Sequence, residues 1–168
     1  AADWDQMARR VSPRWARLWT GGAGKPEPVG WAYAATASPA AGRIDSIQCL
    51  RTDAGYAFCR QAYIDLATGA EQVRQWTSAP GKGGPSETTV IARRQGGPGA
   101  GGASAGADTF AVSLRAAGRP EKSYNVRIPG LPYLPVALQE LVMQKLADQP
   151  GAAFGAFTLS ADKVVFMT

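Results

Sequence analysis

Cys49 and Cys59 carry the sharpest chemical signal in the chain, because a pair of thiols can form a disulfide, bind a metal or exchange electrons. The chain holds 2 cysteines and 0 histidines. Two thiolates without imidazole make a poor zinc site, so the disulfide is the favoured chemistry. The two cysteines flank Asp53-Ala54-Gly55, which reads as a three-residue hairpin loop with Gly55 in the left-handed position. That turn alone sets a register. Thr52 faces Tyr56, Leu50 faces Phe58 and Ile44 faces Ile64 on one side; Arg43 faces Asp65 and Cys49 faces Cys59 on the other. Directly opposed α-carbons lie about 4.5–5.5 Å apart, inside the roughly 4.4–6.8 Å that a disulfide accepts. A cross-strand disulfide implies an oxidising compartment. The opening Ala1-Ala2-Asp3 agrees with removal of a secretory signal, and equally with a trimmed chain. The expected location is extracytoplasmic: secreted, periplasmic or envelope-associated.

Other chemistry is closed or unsupported. Without histidine, the commonest general base and the usual partner of a catalytic Ser or Cys are missing. Asp53 falls in a turn, Asp65 faces Arg43 and Glu71 flanks the next turn, so no acid pair of the glycosidase kind is legible. Gly21-Gly22-Ala23-Gly24-Lys25 has the wrong spacing for a phosphate loop, and Pro26 stands where a Ser or Thr should bind magnesium. Gly81-Lys82-Gly83-Gly84 fails likewise. No catalytic residue, metal ligand or cofactor site is assigned, and catalysis is not the favoured reading. The net charge of +5 comes from 18 Lys and Arg against 13 Asp and Glu, scattered along the chain, which excludes a nucleic-acid signature. No apolar run reaches the length of a transmembrane helix.

Binding candidates remain. Trp15 and Trp19 with Arg14 and Arg17 make a basic, aromatic segment suited to docking on a partner or membrane interface. Arg93 or Arg94, Arg115, Lys122 and Arg127 alternate against apolar neighbours and are expected on a wet sheet face, where Arg115 and Arg127 could meet an anionic partner. Phe110, Leu114, Tyr124, Leu138 and Val142 would line an apolar cavity or, more simply, pack as core. The terminal strand Val164–Thr168 could pair its edge with another domain or subunit.

The elements that must position these residues follow from periodicity. The 168 residues, 45% hydrophobic, suit one domain, 1–168. Residues 1–20 read as a short helical segment in two pieces: Asp3 caps Trp4, Met7 and Val11, and Ser12-Pro13 opens a second turn carrying Trp15, Leu18 and Trp19. From Val29 the period becomes two, with candidate strands at 29–38, 43–52, 56–65, 70–78, 86–95, 108–117 and 122–129. The short turns between them favour an antiparallel meander over 29–129, interrupted by a flexible Gly-rich loop at 96–107. Pro135 then opens one long helix, about 135–148, whose stripe of Leu134, Leu138, Leu141, Val142 and Leu146 must lie on one face of the sheet. A terminal hairpin completes 134–168. The fold class is therefore β-rich α+β, an antiparallel meander sheet or half-barrel of about 7–9 strands. Gly30-Trp31 opens the meander, but the spacing of the lipocalin motif is not met and nothing is carried over from that family.

Two functions suit this frame. The first is a non-catalytic interaction or structural module of an extracytoplasmic or envelope assembly, binding a partner protein or surface. The second is a carrier for an apolar or lipid-like ligand held between curved sheet and helix.

Overall fold

The computed structural model describes residues 6, 8–9, 13–21, 24–95, 108–128, 134–147, 156–160 and 163–167. Period-two patterning becomes eight strands: β1 Arg14–Trp19, β2 Pro28–Ala40, β3 Arg43–Thr52, β4 Ala57–Asp65, β5 Glu71–Ser78, β6 Ser86–Gln95, β7 Asp108–Ala116 and β8 Lys122–Ile128. They form one antiparallel sheet in sequence order, β1 to β8. β1 and β8 are its two edges, so the meander is an open sheet rather than a closed barrel. The tight turns carry glycine at positive φ, as at Gly55 (88°) and Gly118 (71°), a conformation that costs other residues more. The 96–107 loop lies outside the described residues.

Two expectations are corrected. The helical N-terminal segment is not supported, since residues 14–19 form strand β1, paired with β2 from Arg14↔Ala34 to Trp19↔Pro28. Trp15, Leu18 and Trp19 fit a helical stripe, but pairing to the free edge of β2 satisfies the backbone in the extended form. Of the earlier piece, Gln6, Ala8 and Arg9 have helical backbone, and its other positions lie outside the described residues. The single long helix over 135–148 is also corrected. The segment is a 3₁₀ turn, Val136–Leu138, followed by a short α-helix, α1, Gln139–Ala147. The 3₁₀ bond from the Leu138 N–H to the Pro135 carbonyl (3.0 Å) tightens the entry.

One face of the sheet carries the core. Ile44, Ala62, Ile64, Val73, Val90, Ala92, Phe110 and Val112 are buried there, with Leu134, Val136, Ala137, Leu138 and Leu141 of the C-terminal segment packed on them. Each of the larger side chains among them contributes on the order of 1.5–3 kcal/mol by leaving water, the alanines less. Polar groups orient the segment on the sheet. Glu71, 2% exposed, accepts a hydrogen bond from the Val136 N–H. Arg60 donates to Gln139 of α1 (2.9 Å) and to Gln48 (2.5 Å). Glu140 forms an ion pair with Arg14 of β1. Burial pushes the Arg60 guanidinium below its ordinary value, and the nearby Glu71 charge opposes that shift. The helical segment is thereby tied to β1, β4 and β5. β9 (Ala156–Ser160) and β10 (Lys163–Met167) pair with each other as a separate two-stranded sheet.

Candidate functional site

The hairpin of β3 and β4 has the register its turn dictates. Arg43 pairs with Asp65, Ile44 with Ile64, Cys49 with Cys59 and Leu50 with Phe58. The cysteine sulfurs lie at disulfide-bonding distance, with α-carbons 4.1 Å apart. The charges of this hairpin are arranged differently from the pairing. Arg43 binds Asp45 on its own strand (2.7 Å), which raises the guanidinium pKa. Asp65 accepts from the Ala67 and Thr68 amides (2.9 Å each), and these bonds, Thr68's first, hold its carboxylate pKa below the ordinary value.

Register carried outward from the cysteine pair builds a row across the open face, opposite the core. Trp15 of β1 faces Tyr33 of β2, Tyr33 faces Cys49, Cys59 faces Trp76 of β5, and Trp76 faces Glu87 of β6. The neighbouring row on the same face runs Arg17, Trp31, Arg51, Ala57, Ser78. The rings of these rows touch one another and nearby cations. Trp15 and Tyr33 have centroids 4.6 Å apart at 44°, Arg17 lies 4.6 Å over Trp31, and Arg74 lies 5.1 Å over Trp76. Such cation–π contacts are worth about 0.5–1 kcal/mol at exposed sites. Trp15, Trp19 and Trp31 nevertheless remain 72%, 56% and 50% exposed. A groove of about 790 Å³ lies here, lined by Trp15, Trp31, Tyr33, Trp76 and both cysteines.

The structure divides the expected partner-binding residues. Trp15 and Arg17 share the open face, Trp19 lies at the end of β1 beyond a shift in register, and Arg14 points to the covered side and holds Glu140. Arg115 and Arg127 also lie on the open face but near the opposite edge, on β7 and β8. Arg93 joins them there, while Lys122 sits opposite Leu114 on the core side. Arg115 pairs with Glu121 (2.7 Å). The Ser113 hydroxyl, first, and Arg115 hold the Glu121 carboxylate pKa down. Trp31, Tyr33 and Trp76 were missed by sequence reasoning. The signal that finds them is the same parity argument, extended from the central hairpin to the two beside it.

The expected cavity residues are mostly core. Phe110 and Leu138 are buried, with Leu114, Tyr124 and Val142 packed against them. Leu114 and Tyr124 also border a pocket of about 340 Å³ at the end of the β6–β8 region. A second space, about 480 Å³, lies beside α1, where Arg14, Ala34, Gln48 and Glu140 line it; Trp15, Tyr33, Cys49, Leu50 and Phe58 border both it and the groove. Among the described residues, no cluster of three His, Cys, Asp or Glu could hold a metal ion. No described helix is long and apolar enough to cross a membrane. Val164–Met167 belong to β10, paired on one side with β9; Thr168 lies outside the described residues.

What the open face can do chemically is stack, hydrogen-bond and pair charge. No protein-family model, curated protein or solved structure matches the chain.

Proposed function

We propose that this chain is a non-catalytic interaction module of an extracytoplasmic or envelope assembly, which presents its open face to a partner protein or surface. The observation that carries this reading is the exposure of Trp15 and Trp31 on one face, in register beside the cysteine pair. Tryptophan left half in water contributes little to a fold and much to an interface, because its large apolar area is desolvated only on binding. The core already lies on the other face and does not use these rings. The cysteine pair supports the compartment, since a cross-strand disulfide persists where thiols are not kept reduced.

Cosedimentation with envelope material from the source organism tests the proposal. The wild-type chain pellets with that material, and a Trp15→Ala/Trp31→Ala double variant of unchanged thermal stability stays in solution. No pelleting of either protein, or equal pelleting of both, removes the reading.

A second reading, a carrier for an apolar ligand, rests on the 480 Å³ space beside α1, where Leu50 and Phe58 are half-buried rather than covered. Native mass spectrometry of the protein from its own source tests it: the carrier reading expects a copurifying apolar adduct, lost on Leu50→Lys substitution.

A further inference from the structure

The four described carboxylates that pair with arginine on the open face are Asp45, Asp53, Glu87 and Glu121. Their partners are Arg43, Arg17, Arg74 and Arg115. Arg51, Arg93 and Arg127 stand on the same face, exposed, with no carboxylate at salt-bridge distance among the described residues. Asp65, held by backbone amides rather than by an arginine, is the counterweight on this face, so three arginines stand against one carboxylate and the balance is positive. Arg51 lies within the aromatic groove itself, between Trp31 and Ala57 in the row beside the cysteines.

Resting on the interaction reading above, we propose that the groove binds an acidic polysaccharide, a strand bearing carboxylate or sulfate groups, laid across β1 to β5. From Trp15 to Trp76 the row crosses four interstrand steps of about 4.8 Å, or about 19 Å in all, enough for several sugar rings. A pyranose ring has one apolar C–H face and a rim of hydroxyls. The exposed faces of Trp15 and Trp31 take the first, and the flanking Arg–carboxylate pairs and Ser78 take the second. Arg51 takes the acidic substituent, as a planar donor fork suited to carboxylate or sulfate oxygens.

Rival occupants fit the same features less well. A nucleic acid needs a run of free cations, and here most of the arginines are neutralised by neighbouring carboxylates. A bilayer would have to desolvate those same ion pairs. An apolar ligand needs enclosure, and this groove opens on a sheet face.

Native gel electrophoresis of the intact chain in gels containing polygalacturonate, dextran sulfate or neutral dextran decides the matter. Polygalacturonate should retard the wild-type protein, and Trp15→Ala/Trp31→Ala should weaken the apparent affinity roughly tenfold or more. Arg51→Gln, at an exposed position, should weaken polygalacturonate binding and reduce its sensitivity to salt. Retardation by neutral dextran to the same extent overturns the acidic ligand. Retardation that is unaffected by either substitution overturns the site, leaving only bulk attraction between a +5 chain and any polyanion. No retardation in any gel, with envelope cosedimentation intact, overturns the polysaccharide and leaves a protein partner; loss of both removes the interaction reading as well.

Discussion

Glu71, at the start of β5, accepts a hydrogen bond from the backbone N–H of Val136, across 65 residues of sequence and at 2.5 Å. This contact lets a buried carboxylate do what a capping residue does from within a helix: it satisfies an N–H that the 3₁₀ turn leaves free. The turn has no side-chain cap of its own. Strand and helical segment are thus joined by a bond whose two partners belong to different layers.

Replacing Glu71 should therefore loosen the C-terminal segment. Glu71→Ala strands the Val136 N–H and removes the charge beside buried Arg60, at a cost of about 2–3 kcal/mol. Glu71→Gln keeps an acceptor and should cost less. Denaturant midpoints of the two variants check both the size and the order.

The cysteine pair makes a separate prediction. Intact mass of the native chain should rise by two hydrogens on reduction, and no change would mean that the thiols are free. The bridge closes a loop with a sequence separation of 10, so its loss should cost about 3 kcal/mol or less. A Cys49→Ala/Cys59→Ala double variant should accordingly fold, with a lower unfolding midpoint.

Gly30 is constrained by close approach rather than by its φ. A Cβ built there would overlap the Arg51 carbonyl oxygen and come within 2.8 Å of the Thr52 α-carbon. Backbone cannot move aside as a flexible side chain can, so Gly30→Ala should separate β2 from β3 locally and destabilise by about 1–3 kcal/mol. Calorimetry measures this, and an unchanged melting temperature would contradict it.

Asp65 and Glu121 predict a pH dependence. Both carboxylates have pKa values lowered in the folded chain, Asp65 chiefly by the Thr68 amide and Glu121 chiefly by the Ser113 hydroxyl. A lowered folded pKa means that the charged form favours the native state. Their contribution is complete above the ordinary carboxylate range and is lost as pH falls through the lowered value. Asp65→Ala and Glu121→Gln should thus be destabilising at neutral pH, with the difference from wild type shrinking toward about pH 2–3. A difference that grows on acidification would reverse the assignment. Denaturation curves at several pH values provide the comparison.

Some relationships needed only local chemistry. The Asp53-Ala54-Gly55 turn sets a register through its own backbone geometry, so Cys49↔Cys59 and Leu50↔Phe58 could be read before any packing was known. The alternation along β3 to β8 likewise separates Phe110, Val112 and Leu114 from Arg115 and Arg127, because successive side chains of a strand point to opposite sides. The absence of histidine was equally plain and narrowed the chemistry at once.

Residues 14–19 show where local chemistry stops. Arg14-Trp15-Ala16-Arg17-Leu18-Trp19 places its apolar residues at helical spacing, yet the free edge of β2 drew it into an extended strand. That choice put Trp15 and Arg17 on the open face and sent Arg14 to Glu140 on the other. The length of the helical segment was decided in the same way. Its apolar stripe runs on from Leu134, yet the first turn is 3₁₀, with the Val136 N–H directed to Glu71 in β5. Strands β2 to β8, their turns and the central register were legible from the residues alone, since these depend on positions close to one another. The tertiary structure alone decided which rings share a face and where the helical segment docks, because those depend on pairing partners far along the chain.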